Sequence, residues 1–321
     1  FLDTAGELKY NIWYESEGAF WPLYLIIGTK MPNITFKKEK AEVRVVYLGT
    51  RYKIDVSEID FSQSFQETSF EVKTIHNQSS FEGSVINQAN PAEFSLSTPL
   101  LKEATNRVMF DRLIDSATFD LYISTKYDVW KLKDCVIQDG TFEINRRRPL
   151  RLAISGEASK LSKWTENIPG SDPAATTTTY ILPVISTLTF GSDDVSGSIV
   201  SLSAELQNDI NWNDYKTLQG ANAAVNAATS MYPSSYHTGT KVLAGSIAKY
   251  LDETSTSVLT WNSSTNLRLV AGNGTQGLDF NIPSCSFTNR MSTGDTFREE
   301  YNWRMTPNQT ALSSVITYTT E

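Results

Sequence analysis

The amino-acid sequence predicts an all-β fold with one minor helix, arranged as two tandem β-sandwich-like halves. Three observations carry this reading. Apolar and polar residues alternate with a period of two in both halves of the 321-residue chain, which turns one face of each strand inward. Only one segment has clear helical spacing. Four short patterns from the first half recur in the same order in the second.

The elements follow in chain order. Leu23–Ile27 and Val43–Leu48 are short β-branched runs bounded by Gly or charges, and they read as strands. Strand alternation then appears at Phe70/Val72/Thr74, Phe119/Leu121/Ile123, Trp130/Leu132 and Leu150/Leu152/Ile154. Between them, Thr98–Ala117 reads as a helix: Thr98 suits the cap, Pro99 the first helical position, and Leu101, Ala104 and Val108 follow at spacings of three or four. The stretch 161–179 is rich in Pro, Gly, Ser and Thr and lacks periodicity, so it reads as a linker between domains spanning 1–160 and 180–321. Strands resume at Ile199–Leu206, Leu267–Val270, Leu278/Phe280/Ile282 and Tyr301/Trp303/Met305. Ala221–Met231 is a weak helix by Ala content or, equally, a long loop able to act as a contact arm.

The recurring patterns suggest a duplication. Gly83 and Ser84 face Gly245 and Ser246, Phe119–Leu121 faces Leu267–Leu269, Leu132–Cys135 faces Ile282–Cys285, and Leu150/Leu152/Ile154 face Tyr301/Trp303/Met305. The offset falls from 162 at the Gly-Ser pair to 150 at the cysteines. That drop coincides with the predicted helix of the first half. The second half has no evident helix between Ile247 and Leu267.

Composition narrows the function. The net charge is −8, with residues 161–321 carrying −6 of it. Such a surface disfavours tight non-specific binding of nucleic acid. Cys135 and Cys285 are the only cysteines and lack metal-type spacing, so two buried thiols are expected. The longest apolar run, Phe20–Ile27, is too short to span a bilayer, and neither a membrane segment nor an export signal is expected.

A search for chemistry returns no catalytic residue, metal site or cofactor. His76 and His237 lack a nucleophile partner. The acidic pairs Asp193-Asp194 and Glu299-Glu300 read as solvated turn or strand-edge charges. The Gly-rich stretches 191–197 and 271–277 lack the phosphate-binding lysine and read as hairpin connections. Five Asn-x-Ser/Thr sequons follow from a Ser/Thr-rich composition. One dense basic cluster remains, Arg146, Arg147 and Arg148 with Arg151, which reads as a polar turn or as a subunit contact toward an acidic neighbour.

The element order of the first half resembles the tail tube proteins of long-tailed bacteriophages. It runs from Asp55–Phe61 through Phe81–Val85, a helix, Phe119–Ile123, Trp130–Ile137 and Phe142–Ile144 to Leu150–Leu161. Cys135–Phe142 followed by Arg151–Leu161 carries most of the likeness, which covers about residues 35–161 and more loosely 185–307. The resemblance implies two tube domains whose strands join those of neighbouring copies in rings, and rings that stack into a hollow tube. DNA then passes through the lumen without specific binding, other tail proteins are the further partners, and the site of action is the virion tail, assembled in the host cytoplasm. Two tube domains per chain imply a trimeric, pseudo-hexameric ring. Two other readings compete: a tail hub or baseplate protein with two tube-like domains, and a carbohydrate-binding β-sandwich whose seven tryptophans offer stacking platforms.

Overall fold

The computed structural model describes residues 9–16, 19–26, 41–70, 83–101, 107–145, 148–173, 179–181, 184–191, 193–212, 231–251, 264–272, 277–293, 296–307 and 310–320. The chain divides into two units, Phe1–Lys37 and Lys38–Glu321. The first contains a hairpin, β1 (Lys9–Ser16) with β2 (Ala19–Ile26), antiparallel from Lys9↔Ile26 to Ser16↔Ala19.

The second unit is built from antiparallel strands, and the fold is all-β. In the first half these are β3 (Glu42–Tyr47), β4 (Thr50–Ile54), β5 (Glu58–Ser62), β6 (Phe65–Phe70), β7 (Gly83–Ala89), β8 (Ala92–Pro99), β9 (Phe119–Ser124), β10 (Val129–Ile144), β11 (Arg151–Ala158) and β12 (Lys160–Trp164). The second half supplies β13 (Val184–Phe190), β14 (Asp193–Asp194), β15 (Ile199–Trp212), β16 (Tyr236–Tyr250), β17 (Ser264–Gly272), β18 (Gly277–Thr293), β19 (Phe297–Met305) and β20 (Ile316–Thr319). Two α-helices are described, α1 (Arg107–Asp115) and the single turn α2 (Leu312–Val315). Strands β6 and β7 form a separate two-stranded ribbon.

Eight strands form one continuous run in the order β18-β19-β16-β15-β10-β11-β8-β5. Its centre is the join between halves, where Asp139–Ile144 of β10 pair with Leu202–Gln207 of β15. The long strands β10 and β18 each serve two sheets. The N-terminal part of β10 pairs with β9, then β3 and β4, and takes β12 on its other flank. The N-terminal part of β18 does the same with β17, β13 and β14, and takes β20. The two halves therefore share one strand order.

These side sheets fold over the eight-stranded run. Phe94 of β8 meets Phe119 of β9 at 6.1 Å between ring centroids, and Phe190 of β13 meets Tyr301 of β19 at 5.5 Å. Neither pair lies on adjacent strands, so each is a contact between layers. The buried apolar residues of both halves form one cluster, with Phe142 and Phe280 at 5.3 Å across the join. Each large side chain so buried contributes roughly 1.5–3 kcal/mol.

The cysteines sit at matching irregularities. Leu132 pairs with Leu121 and Cys135 with Phe119, while Ile282 pairs with Leu267 and Cys285 with Thr265. Three steps on the long strand oppose two on its partner, which is a β-bulge that bends the strand. Asp134 takes a left-handed φ of 54° there, and its N–H is satisfied by Asp120 Oδ1 at 3.0 Å. Pro283 occupies the equivalent bulge in β18, where its missing N–H breaks no ladder bond. Both thiols are buried and free, and desolvation pushes Cys285 up to about 12.

Three expectations need correction. Thr98 and Pro99 end β8 rather than open the helix, because Thr98 pairs with Leu152 and donates its hydroxyl to Asp55 O at 2.9 Å. The helix is described over Arg107–Asp115. The runs Trp130–Ile137 and Phe142–Ile144 are one strand, since the bulge at Gln138 lets β10 bend without breaking its pairing to β11. Glu299 is not a solvated edge charge. It is fully buried, with Lys249 Nζ 3.5 Å from its Oε2 and Asn289 Nδ2 3.5 Å from its Oε1.

Helix α1 packs its Leu113 onto Gly140 of β10, where any Cβ would strike the leucine side chain. Its C-terminal carbonyls, which no helix can satisfy internally, are taken by the second half. Asn208 Nδ2 donates to Leu113 O at 3.1 Å, Lys241 Nζ to Ile114 O at 2.6 Å, and Tyr236 Oη to Ser116 O at 3.3 Å. Within the stretch 161–179, β12 pairs with β10 and Ser171 bridges Thr50. Arg51 grips Asp172 with two N–H bonds of 2.6 and 2.8 Å, and holds its carboxyl below the usual range. Phe70 ends β6, and Met231 O accepts from Ala89 N at 2.9 Å; Val72 and Thr74, residues 221–230 and residues 252–263 lie outside the described residues, as does His76.

One device recurs with its parts exchanged. In the first half Phe94 of β8 lies over Gly156 of β11; in the second, Trp303 of β19 lies over Gly245 of β16. Each glycine leaves room for a ring from the neighbouring strand. Gly245→Ala and Gly156→Ala are each expected to cost about 1–3 kcal/mol by overpacking, measured as a lower denaturant midpoint with an unchanged slope. Replacing Lys249 by Met strands the Glu299 carboxylate and is expected to cost about 3–5 kcal/mol, whereas Lys249→Met with Glu299→Leu recovers most of it; a double-mutant cycle of unfolding free energies reads the difference.

Candidate functional surface

The eight-stranded run has one face in the core and one outside. Residues paired across antiparallel strands share a face, so the registers fix the outer rows. One row runs Glu58–Ser97–Ala153–Thr141–Glu205–Ala244–Arg304–Ser286, from β5 to β18 without interruption. A second crosses Asp60, Ser95, Ser155, Asp139 and Gln207. Small side chains dominate both rows, and the face is wide, polar and free of large apolar groups along them.

Charge on this face is graded. From β5 to β15 it carries Glu58, Asp60, Glu93, Glu157, Asp139, Glu143, Glu205 and Asp209, with Arg151 opposite Glu143. Over β19 and β18 the basic residues Arg298, Arg304 and Arg290 stand beside Glu300. Several acids are oriented by neighbours on the same surface. Ser155 Oγ donates to Asp139 Oδ2 at 3.2 Å, Gln207 Nε2 to Glu205 Oε1 at 2.9 Å, and Asn211 Nδ2 to Asp209 Oδ1 at 2.8 Å. Such a field attracts cations and repels a polyanion.

Among the described residues the run ends at β5 on one side. At the other end, β18 pairs with β19 through Cys285–Thr293, while β17 accompanies it only as far as Ser286. Among the described residues no strand lies along the second flank of Arg290–Thr293. Edges of this kind present backbone groups to a further strand.

The sequence-derived residues fall in different places. Arg146 and Arg147 lie outside the described residues; Arg148 is exposed in the turn before β11, and Arg151 stands on the acidic face. Cys135 and Cys285 occupy equivalent bulges. Gly83 and Ser84 open β7 in the separate ribbon, whereas Gly245 and Ser246 lie mid-strand in β16, so these two pairs do not share a strand position. Asp194 accepts from Ser196 N at 2.9 Å and Ser196 Oγ at 2.6 Å, which lowers its pKa. No cluster of potential metal ligands occurs among the described residues. Trp303 is buried, and Trp130 packs beside Phe61 at 6.5 Å.

The acidic face escaped sequence reading because its members come from five strands spread over about 150 residues. Each strand's alternation marks which residues share a face, but only register brings the faces together.

No curated protein sequence matches the chain. Among solved structures, a chain of the "Cryo-EM structure of the anti-feeding prophage (AFP) baseplate, 6-fold symmetrised" superposes with a TM-score of 0.33 at 11% identity, covering 44% of this chain and 100% of that one. The profile of the Bacteriophage Baseplate Tube Protein Family matches residues 34–321. The chain belongs to that family, and is a structural component of the phage tail and baseplate.

Proposed function

We propose that the chain is a ring-forming tube subunit, three copies of which close a pseudo-hexameric ring, with rings stacked around a DNA-conducting lumen. One observation carries this reading. Two sets of four strands, alike in order and joined edge to edge, present a single polar face rich in acids. Turned inward, that face keeps the phosphate backbone mobile, because like charge prevents adhesion. Two equivalent sets per chain, arising by duplication, supply six sets from three copies. Closing the sheet around a ring also removes its open ends.

The family's name supports a position at the baseplate end of the tail, which unites the tube reading with that of a baseplate protein containing two tube-like domains. The role is structural and non-catalytic. Further copies and other tail proteins are its partners, and assembly takes place in the host cytoplasm. The cluster Arg146, Arg147, Arg148 and Arg151 contributes to contacts between subunits.

Purified full-length protein at high concentration is expected to form rings or tubes visible by negative-stain electron microscopy, with light scattering reporting multiples of three chains. A strictly monomeric species would sink the proposal. Changing Arg146, Arg147 and Arg148 together to Glu is expected to lower the assembled fraction severalfold while leaving the far-ultraviolet circular dichroism unchanged; undiminished assembly removes the cluster from the contact.

A further inference from the structure

The join inside the chain prescribes the join between chains. The shared strand order makes β18 the counterpart of β10 and β5 the counterpart of β15. Registers carry the correspondence to single residues. Phe142 pairs with Leu152 as Met291 pairs with Glu299, and Phe61 pairs with Phe94 as Ala204 pairs with Gly245. In β10 the stretch Asp139–Ile144 is covered by β15. Its counterpart in β18 has no such partner among the described residues.

Burial marks the same place. Phe142 and Leu150 are both 0% exposed; Phe142 lies against Phe110 of α1 and Phe280 of β18, and Leu150 N donates to Ile181 O. Their counterparts Met291 and Phe297 are 58% and 59% exposed. Two large apolar side chains thus stand uncovered at the position where the first half has a neighbour. The charges agree with such a partner, for the β18–β19 end carries Arg290 and Arg298 while β5 carries Glu58 and Asp60.

We infer that β5 of one copy pairs antiparallel with the C-terminal part of β18 of the next, in the register of the internal β10–β15 ladder. Phe142↔Ala204 then becomes Met291↔Phe61 of the next copy, and Thr141↔Glu205 becomes Arg290↔Ser62 of the next copy. The thioether of Met291 covers the Phe61 ring, a favourable contact for sulfur. Arg290 comes within diagonal reach of Asp60 on the polar face. The contact is head-to-tail, so it repeats from copy to copy instead of ending at a dimer, as the ring-forming reading requires. This rests on the ring-forming reading and adds to it the strands, the register and the residues.

Paired cysteines test it in the full-length chain. Arg290 and Ser62 are both exposed, and residues directly opposite in a ladder lie within disulfide range. Under mild oxidation, Arg290→Cys with Ser62→Cys is expected to give interchain dimers and trimers on non-reducing gels. Arg290→Cys with Glu58→Cys, displaced by four residues along the strand, is expected to give about tenfold less. Thr141→Cys with Glu205→Cys serves as the internal standard and closes within one chain. The buried native thiols contribute no background. If rings form by electron microscopy and the internal standard closes, but the 62/290 pair does not link chains, the register is wrong while the tube reading stands. Preferred linking of the 58/290 pair overturns the register equally. Absence of any assembly overturns both.

Discussion

The ladder between β10 and β15 is the contact on which the rest of this protein depends. It joins Asp139–Ile144 to Leu202–Gln207 with main-chain hydrogen bonds, and behind it Phe142, Ala204 and Leu206 are fully buried. Asn208, one step beyond the ladder, donates to the carbonyls of both Ile137 and Leu113. A buried amide nitrogen that donates to two elements of the other half is costly to separate, because both carbonyls would lose their donor. The merged core, the capped end of α1 and the unbroken polar face all follow from this one pairing.

The polar face is therefore a property of the joined sheet and not of either half. Each half alone would present four strands and two open flanks. Together they make a surface eight strands wide, with acid concentrated over β5 to β15 and basic residues over β19 and β18. The gradient gives the sheet a direction along its width.

Much of the fold was legible in the sequence, for a physical reason that also sets the limit. Alternation reports which residues of one strand share a face, so Phe119/Leu121/Ile123 and Tyr301/Trp303/Met305 were readable as strands. The cysteine correspondence was readable because a bulge fixes local spacing. Register is different: it depends on partners distant in sequence, and the match of Phe119–Leu121 to Leu267–Leu269 lies two residues from the pairing, in which Leu121 takes the place of Leu267. Thr98 carried a helix-start signal that its pairing with Leu152 overrode. Glu299 was misread because nothing in its own segment announces Lys249 on the adjoining strand. The acidic face was invisible for the same reason.

The exchanged glycine–aromatic pairs have a consequence for how the halves can change. At Phe94 over Gly156 and Trp303 over Gly245, the ring comes from opposite members of equivalent strand pairs. Copying one strand from one half into the other would set ring against ring, or leave glycine facing glycine over a void. Exchange of strands between the halves is thus tolerated only when both strands of the pair travel together, and the packing of each half restricts what it can take from the other.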